Sequence, residues 1–216
     1  MSSPSPYEPL SPEAEYWSAR HELAGAARAL NEKLVSTDIP TATALEIAAR
    51  LRTEASNLSA LPQVTGMVQM SRLANRGSVD NIMGELVAMA GRSHPSAPEL
   101  TWEEATNHIS GTVVFGQAFE GPPGHVHGGW VAGILDHLMG MTHVRMGQPG
   151  MTGGLSVRYL KPTPLGVTLN IAASAEELDD RRTEVKAEMR HGETVTATAE
   201  AIFIRVDIAK FGFGAD

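Results

Sequence analysis

A chain of 216 residues with 42% apolar side chains is long enough to bury a full core without staples. It contains no cysteine, which excludes a disulfide framework, a cysteine-ligated zinc or iron–sulfur site and a thiol nucleophile. The 25 acidic residues outnumber 17 Lys and Arg, giving a net charge of −8, and the cations are scattered, so a nucleic-acid binder is disfavoured.

Residues 1–10 (MSSPSPYEPL) are polar and proline-rich, unlike a secretory leader, and read as a frayed tail. No stretch approaches the roughly 18 to 20 apolar residues of a membrane span. A soluble, cytoplasmic protein is the expectation. Ser11 is placed as an N-cap, with Pro12 in the first turn and Glu13 and Glu15 at the positive end of the dipole, opening a helix to about Val35. Thr43 and Glu46 have capping-box spacing and propose a second helix to about Leu58. From Pro62 to Leu100 repeated Gly and Pro leave only short apolar pieces, the longest being Ile82 to Ala90.

The second half changes character. Ile109 to Phe119 is rich in β-branched and aromatic residues and stops at Glu120-Gly-Pro-Pro-Gly, so it reads as strand then loop. Gly128 to about Thr142 is a compact apolar helix, with Val131, Ile134, Leu135, Leu138 and Met141 on one face. Leu155–Leu160, Val167–Ala175, Thr183–Arg190 and Thr194–Val206 then alternate as strands, with turns at Asp179-Asp180-Arg181 and His191-Gly192. This order predicts an antiparallel sheet of one strand plus four consecutive hairpin-linked ones, with the helix covering its apolar face.

That helix carries an unusual stripe. At 100° per residue, Gly129, Gly133, Asp136 and Gly140 fall within a band roughly 60° wide, a carboxylate among glycines. Each helical glycine costs about 1 kcal/mol against alanine, which asks for close approach of backbone or ligand. Tight packing with a solvated Asp136 accounts for the pattern as well as a site does. Before the helix, His125-Val-His127-Gly128-Gly129 sets a flexible turn at its N-terminus, where free N–H groups and the positive dipole end can hold an oxyanion. The same glycines equally suit a plain loop-to-helix turn.

The order Gly121-Pro-Pro-Gly-His-Val-His-Gly-Gly, then Asp136, then Met151-Thr152 leading into Leu155-Ser-Val-Arg-Tyr-Leu-Lys-Pro resembles the hotdog-fold acyl-CoA thioesterases of the PaaI-like type. The resemblance runs from about Gly91, with Gly91-Arg-Ser-His-Pro, to about Val206. It implies an α+β hotdog fold, a curved antiparallel β-sheet wrapped round a central α-helix, over residues 91–216, with 1–90 as a tail and helical extension. It also implies a homodimer or dimer of dimers that hydrolyses acyl-CoA at the interface, with no metal or organic cofactor. Carried onto this chain, it makes Asp136 the general base or nucleophile and sets the Gly128 N–H, in the Gly128–Gly129 turn, at the thioester carbonyl. His127 orients that loop, and Thr152 holds the attacking water or the carboxylate. Arg158 and Lys161 are the candidates for the CoA phosphates, against the alternative of a solvated sheet face. Trp130, Leu138 and Met139, with Ile134, are candidates for an acyl pocket, against plain core. Some relatives supply an Asn or Gln donor before the glycine turn; Glu120-Gly-Pro-Pro offers none.

Three rivals stand beside this expectation. His125, His127, Asp136, His137 and His143 gather metal-ligand types within 19 residues, although helical spacing sends Asp136 and His137 in different directions. A hotdog hydratase shares the fold and ligand but needs an Asp and His pattern that is not found. A non-catalytic acyl-CoA-binding module is the third, and the first two helices carry no basic stripe that would make it a DNA-binding regulator.

Overall fold

The computed structural model describes residues 12–64, 66–72, 79–147 and 150–206. The expected tail at 1–10 and the N-cap at Ser11 lie outside these. Contacts divide the chain into two compact units, one reaching Val87 and including Gly91–Pro95, the other made of Ala88–Ala90 and the chain from Ser96.

The first unit is helical. It comprises α1 (Pro12–Ser36), α2 (Thr41–Ser59), α3 (Gly66–Arg72) and α4 (Val79–Leu86). The second helix starts at Thr41 behind Pro40 with no side-chain cap, so the expected Thr43–Glu46 capping box is not its start. Pro40 is the N-cap instead: its backbone is extended (φ −56°, ψ 142°) and its carbonyl accepts the first helical bond from Ala44 N–H at 3.0 Å. In α4 the carboxylate of Glu85 is buried and satisfied twice, by Ser93 Oγ at 2.7 Å and His21 Nε2 at 2.6 Å. Arg28 of α1 donates to the carbonyls of Arg92 and His94, so the 91–95 turn is tied to the helices through polar groups. No described helix is long and apolar enough to cross a membrane.

The second unit is a six-stranded antiparallel sheet and one helix: β1 (Glu99–Glu104), β2 (His108–Val114), a 3-10 turn at Gln117–Phe119, α5 (Gly128–Arg145), β3 (Gly150–Tyr159), β4 (Thr168–Glu177), β5 (Arg182–His191) and β6 (Thr194–Arg205). This is the α+β hotdog arrangement. The strand order β1-β2-β4-β5-β6-β3 corrects the expected run of four hairpin-linked strands. Only β4, β5 and β6 follow one another; β3 crosses over to pair with β6 and becomes an edge. β1 was not expected at all.

Alternation explains which face is covered. Ile109 and Val113 of β2, Leu169, Ile171 and Ala173 of β4, Val185, Ala187 and Met189 of β5, and Ala197, Ala199, Ala201 and Phe203 of β6 are all buried on one face. Against them α5 lays Val131, Ile134, Leu135, Leu138 and Met139, each at most 1% exposed. Burying each large side chain is worth about 1.5–3 kcal/mol. The opposite face carries Thr112, Asn170, Lys186, Glu188, Thr198 and Glu200. Because β6 presents a row of alanines, α5 can lie close to the end of the sheet where β3 is the edge. That closeness brings β3 and the helix together.

Candidate functional site

The turn before α5 is held by its own backbone and one carboxylate. Gly124 N–H donates to Glu120 Oε1 at 2.6 Å, His125 N–H to the Pro122 carbonyl, Val126 N–H to Thr163 and His127 N–H to Phe119. Glu120 therefore braces the loop through its side-chain carboxylate.

His127 is the N-cap of α5. Its Nδ1 accepts from Gly129 N–H at 2.9 Å, so the neutral ring carries its proton on Nε2. The His127 carbonyl accepts from the N–H groups of Trp130 and Val131. From Gly124 to Val131 every backbone N–H thus has an acceptor except one. Gly128 N–H has none among the described residues, and it sits at the positive end of the helix.

Two turns further along α5, Asp136 is half-buried, and Thr152 Oγ1 of β3 donates to its Oδ1 at 3.0 Å. A register shift between Thr152 and Gly154 makes this contact. Thr152 lies opposite inward-facing Phe203, whereas Leu155, Val157 and Tyr159 lie opposite Ala201, Ala199 and Ala197. The extra residue, Gly153, keeps both sets on the helix side of the sheet, as β-bulges re-aim side chains. A side chain there would strike Ile204 Cγ1 at 2.7 Å.

The glycine stripe resolves into separate contacts. Met89 crosses Gly133 so closely that a Cβ would lie 2.8 Å from its sulfur, and Phe203 packs over Gly140. Close packing accounts for Gly133, whereas a side chain at Gly140 would make only ordinary contact with Phe203. Gly129 makes room for the His127 ring, and Asp136 is the stripe member that meets a polar partner.

Other expected residues are placed differently. Leu138 and Met139 are 1% and 0% exposed and belong to the closed core. Trp130 is half-buried and meets Phe119 edge-to-face at 4.8 Å. Arg158 alternates with Val157 and Tyr159 and points to the face of the sheet away from Asp136. Lys161 is exposed just past the end of β3.

The histidines diverge. His125 donates from its ring to the Pro123 carbonyl, and His137 lies near the Trp102 ring, centroids 5.7 Å apart. His143 is fully buried and stacked on Phe203, and neither ring nitrogen has a hydrogen-bond partner among the described residues. Burial holds both His137 and His143 below the ordinary imidazole value; the Asp136 charge opposes this at His137, while Arg205 adds to it at His143. Among the described residues no group of three or more His, Asp or Glu is placed to hold a metal ion.

Sequence reasoning did not find Tyr159. Its hydroxyl donates to the Gly128 carbonyl at 3.0 Å from 31 residues away, a pairing with no local pattern to announce it.

Residues 123–198 match the family profile described as the thioesterase superfamily. Over these residues the chain is similar to that superfamily. Among relatives, the acyl-coenzyme A thioesterase THEM4 of Xenopus laevis is 34% identical over 93 residues, which are 42% of each chain. The mouse (Mus musculus) protein of that name is 31% identical over 97 residues, 44% of this chain and 42% of its own. The match thus spans less than half the length of these curated relatives. A crystal structure described as a thioesterase superfamily protein is 28% identical, with a TM-score of 0.72, covering 86% of this chain and 94% of that one.

Proposed function

We propose that the superfamily unit hydrolyses an acyl-CoA thioester to a free acid and CoA, in the manner of the PaaI-like enzymes. The observation that carries this is the pairing of one free backbone donor, Gly128 N–H, with a threonine-held carboxylate, Asp136, along one helix. The thioester carbonyl oxygen accepts from Gly128 N–H. Asp136 takes a proton from water positioned by the Thr152 hydroxyl, and the water oxygen attacks the carbonyl carbon. Charge builds on the carbonyl oxygen, where a preorganised donor is worth about 3–4 kcal/mol. Collapse expels the CoA thiolate, which leaves as the thiol with the proton from Asp136. His127 keeps Gly129 N–H occupied and the turn rigid, leaving Gly128 as the donor.

The test is a panel of acyl-CoA esters with a thiol-detecting reagent, run with and without a chelator. Having no cysteine, the protein adds no thiol background. Release of CoA from at least one ester, insensitive to chelator, is the expected result. A flat panel favours the binding module, and loss with chelator favours the metal hydrolase.

The cations proposed for the CoA phosphates are Arg158 and Lys161. Both are exposed at or beyond the edge strand, where a long ligand can reach round from the site. The double substitution to alanine is expected to raise KM about tenfold and leave kcat within twofold, since charge-assisted contacts remote from the carbonyl act on binding. An unchanged KM removes them from the site.

We further propose a homodimer built on β3. This edge exposes Met151 (50%) and Leu155 (41%) beside unpaired backbone groups, the pattern of a strand that pairs with another chain. Leu155→Asp is expected to convert the dimer to monomer in sedimentation. A wild-type monomer, or a dimer that survives the substitution, overturns this assembly.

A further inference from the structure

Tyr159 is 56% exposed, contributes little to the core, and yet spends its hydroxyl on one carbonyl of the site. That carbonyl belongs to Gly128, whose N–H is the free donor of the turn. The phenol ring also lies over the same residue: a Cβ on Gly128 would sit 3.3 Å from Cζ and 3.4 Å from both Cε1 and the hydroxyl. Gly128 is thus gripped from both sides. Behind it, His127 is fixed through its N–H to Phe119 and through its ring to Gly129; ahead of it, Tyr159 adds a second donor to a carbonyl already facing down the helix.

β3 therefore carries two hydroxyls on its helix-facing side, and each contacts one half of the reaction centre. Thr152 reaches Asp136, and Tyr159 reaches Gly128. We infer that Tyr159 is a positioning residue for the carbonyl-polarising donor: it holds the Gly128–Gly129 peptide through the Gly128 carbonyl and so restricts rotation at Gly128, the residue that joins this peptide to the one carrying the free N–H, so that β3 sets the spacing between the base and the donor. The inference rests on the hydrolase function proposed above. A stability role does not explain the contact, because a hydrogen bond made by a side chain this exposed adds little net energy over water. Displacing a donor by an ångström, by contrast, can cost up to about a hundredfold in rate.

Tyr159→Phe tests this cleanly, since the ring stays over Gly128 and only the hydroxyl is lost. The expected result is a kcat about tenfold lower, KM within twofold and the thermal midpoint unchanged, together with faster amide exchange at Gly129 and Trp130, whose N–H groups are bonded to His127. Tyr159→Ala should lower kcat further, and the phenylalanine variant should recover part of that loss. A phenylalanine variant with wild-type kcat overturns the positioning role, as does a loss of kcat that follows a loss of thermal stability. A wild-type enzyme that cleaves no ester overturns the hydrolase function instead; amide exchange unchanged in Tyr159→Phe overturns the clasp in either case.

Discussion

Asp136→Asn is expected to abolish CoA release while leaving the fold intact. The amide is the same size as the carboxylate, and its oxygen can still accept the Thr152 hydroxyl that now lies 3.0 Å from Oδ1. What it loses is the ability to take a proton from water or to attack as an anion. Positioned general bases contribute about 10²–10⁴ in rate, so turnover should fall by that factor. Because Asp136 is only half-buried and makes no ion pair among the described residues, the thermal midpoint should hardly move. Thr152→Ala should be milder, since it leaves the base in place and removes only its holder. The measurement is kcat on the best ester of the panel beside a thermal melt. Wild-type turnover in Asp136→Asn would remove the residue from the chemistry, and a collapsed melt would make it structural.

The parts of this molecule that were legible in the sequence are those written in local pattern. α5 shows as a dense run of apolar residues on all sides opened by the Gly128-Gly129 turn, and the three hairpin-linked strands show alternation broken by turns such as His191-Gly192, where Gly192 has a φ of 56°. β1 escaped because Glu99, Glu103 and Glu104 leave only Leu100 and Trp102 to alternate, too few to mark a strand. The place of β3 escaped for a different reason. Alternation says that a segment is a strand, but only the closure of the sheet round the helix says which strand it pairs with. From that one fact follow the open edge, the inward Thr152 and Tyr159, and the outward Arg158.

The candidate site divides along the same line. The glycine stripe with its single carboxylate was visible by helical arithmetic, and so was the capping turn at His127. Two alternative meanings of the stripe turn out to be shared among its members: Gly133 serves packing against Met89, while Asp136 meets Thr152. Short-range pattern could not make that division, because Met89 lies 44 residues and Thr152 16 residues from the stripe members they meet.

Gly150→Val is the substitution expected to damage stability and activity together. Gly150 opens β3 directly against the buried His143 ring. A Cβ there would collide with Nε2, lie 2.8 Å from Cδ2 and 3.0 Å from the Ile204 carbonyl. Neither neighbour can yield easily, since the ring is stacked on Phe203 and the carbonyl belongs to β6. The strand must therefore shift away from α5. Overpacking of this kind costs about 1–3 kcal/mol, and in a chain of this size each kcal/mol lowers the midpoint by about 2–4 °C. Thr152 is only two residues further on, so the same shift should draw its hydroxyl off Asp136 and lower kcat. His143→Ala should relieve the clash while leaving a cavity of its own. The two changes are then expected to be non-additive, the double variant being more stable than the sum of the singles by about 1 kcal/mol, within the range seen for residues in contact. Melts of the four proteins measure that coupling directly. Strict additivity would mean that the entry of β3 does not rest on the His143 ring, and a Gly150→Val enzyme with wild-type kcat would mean that Thr152 keeps its place by other contacts.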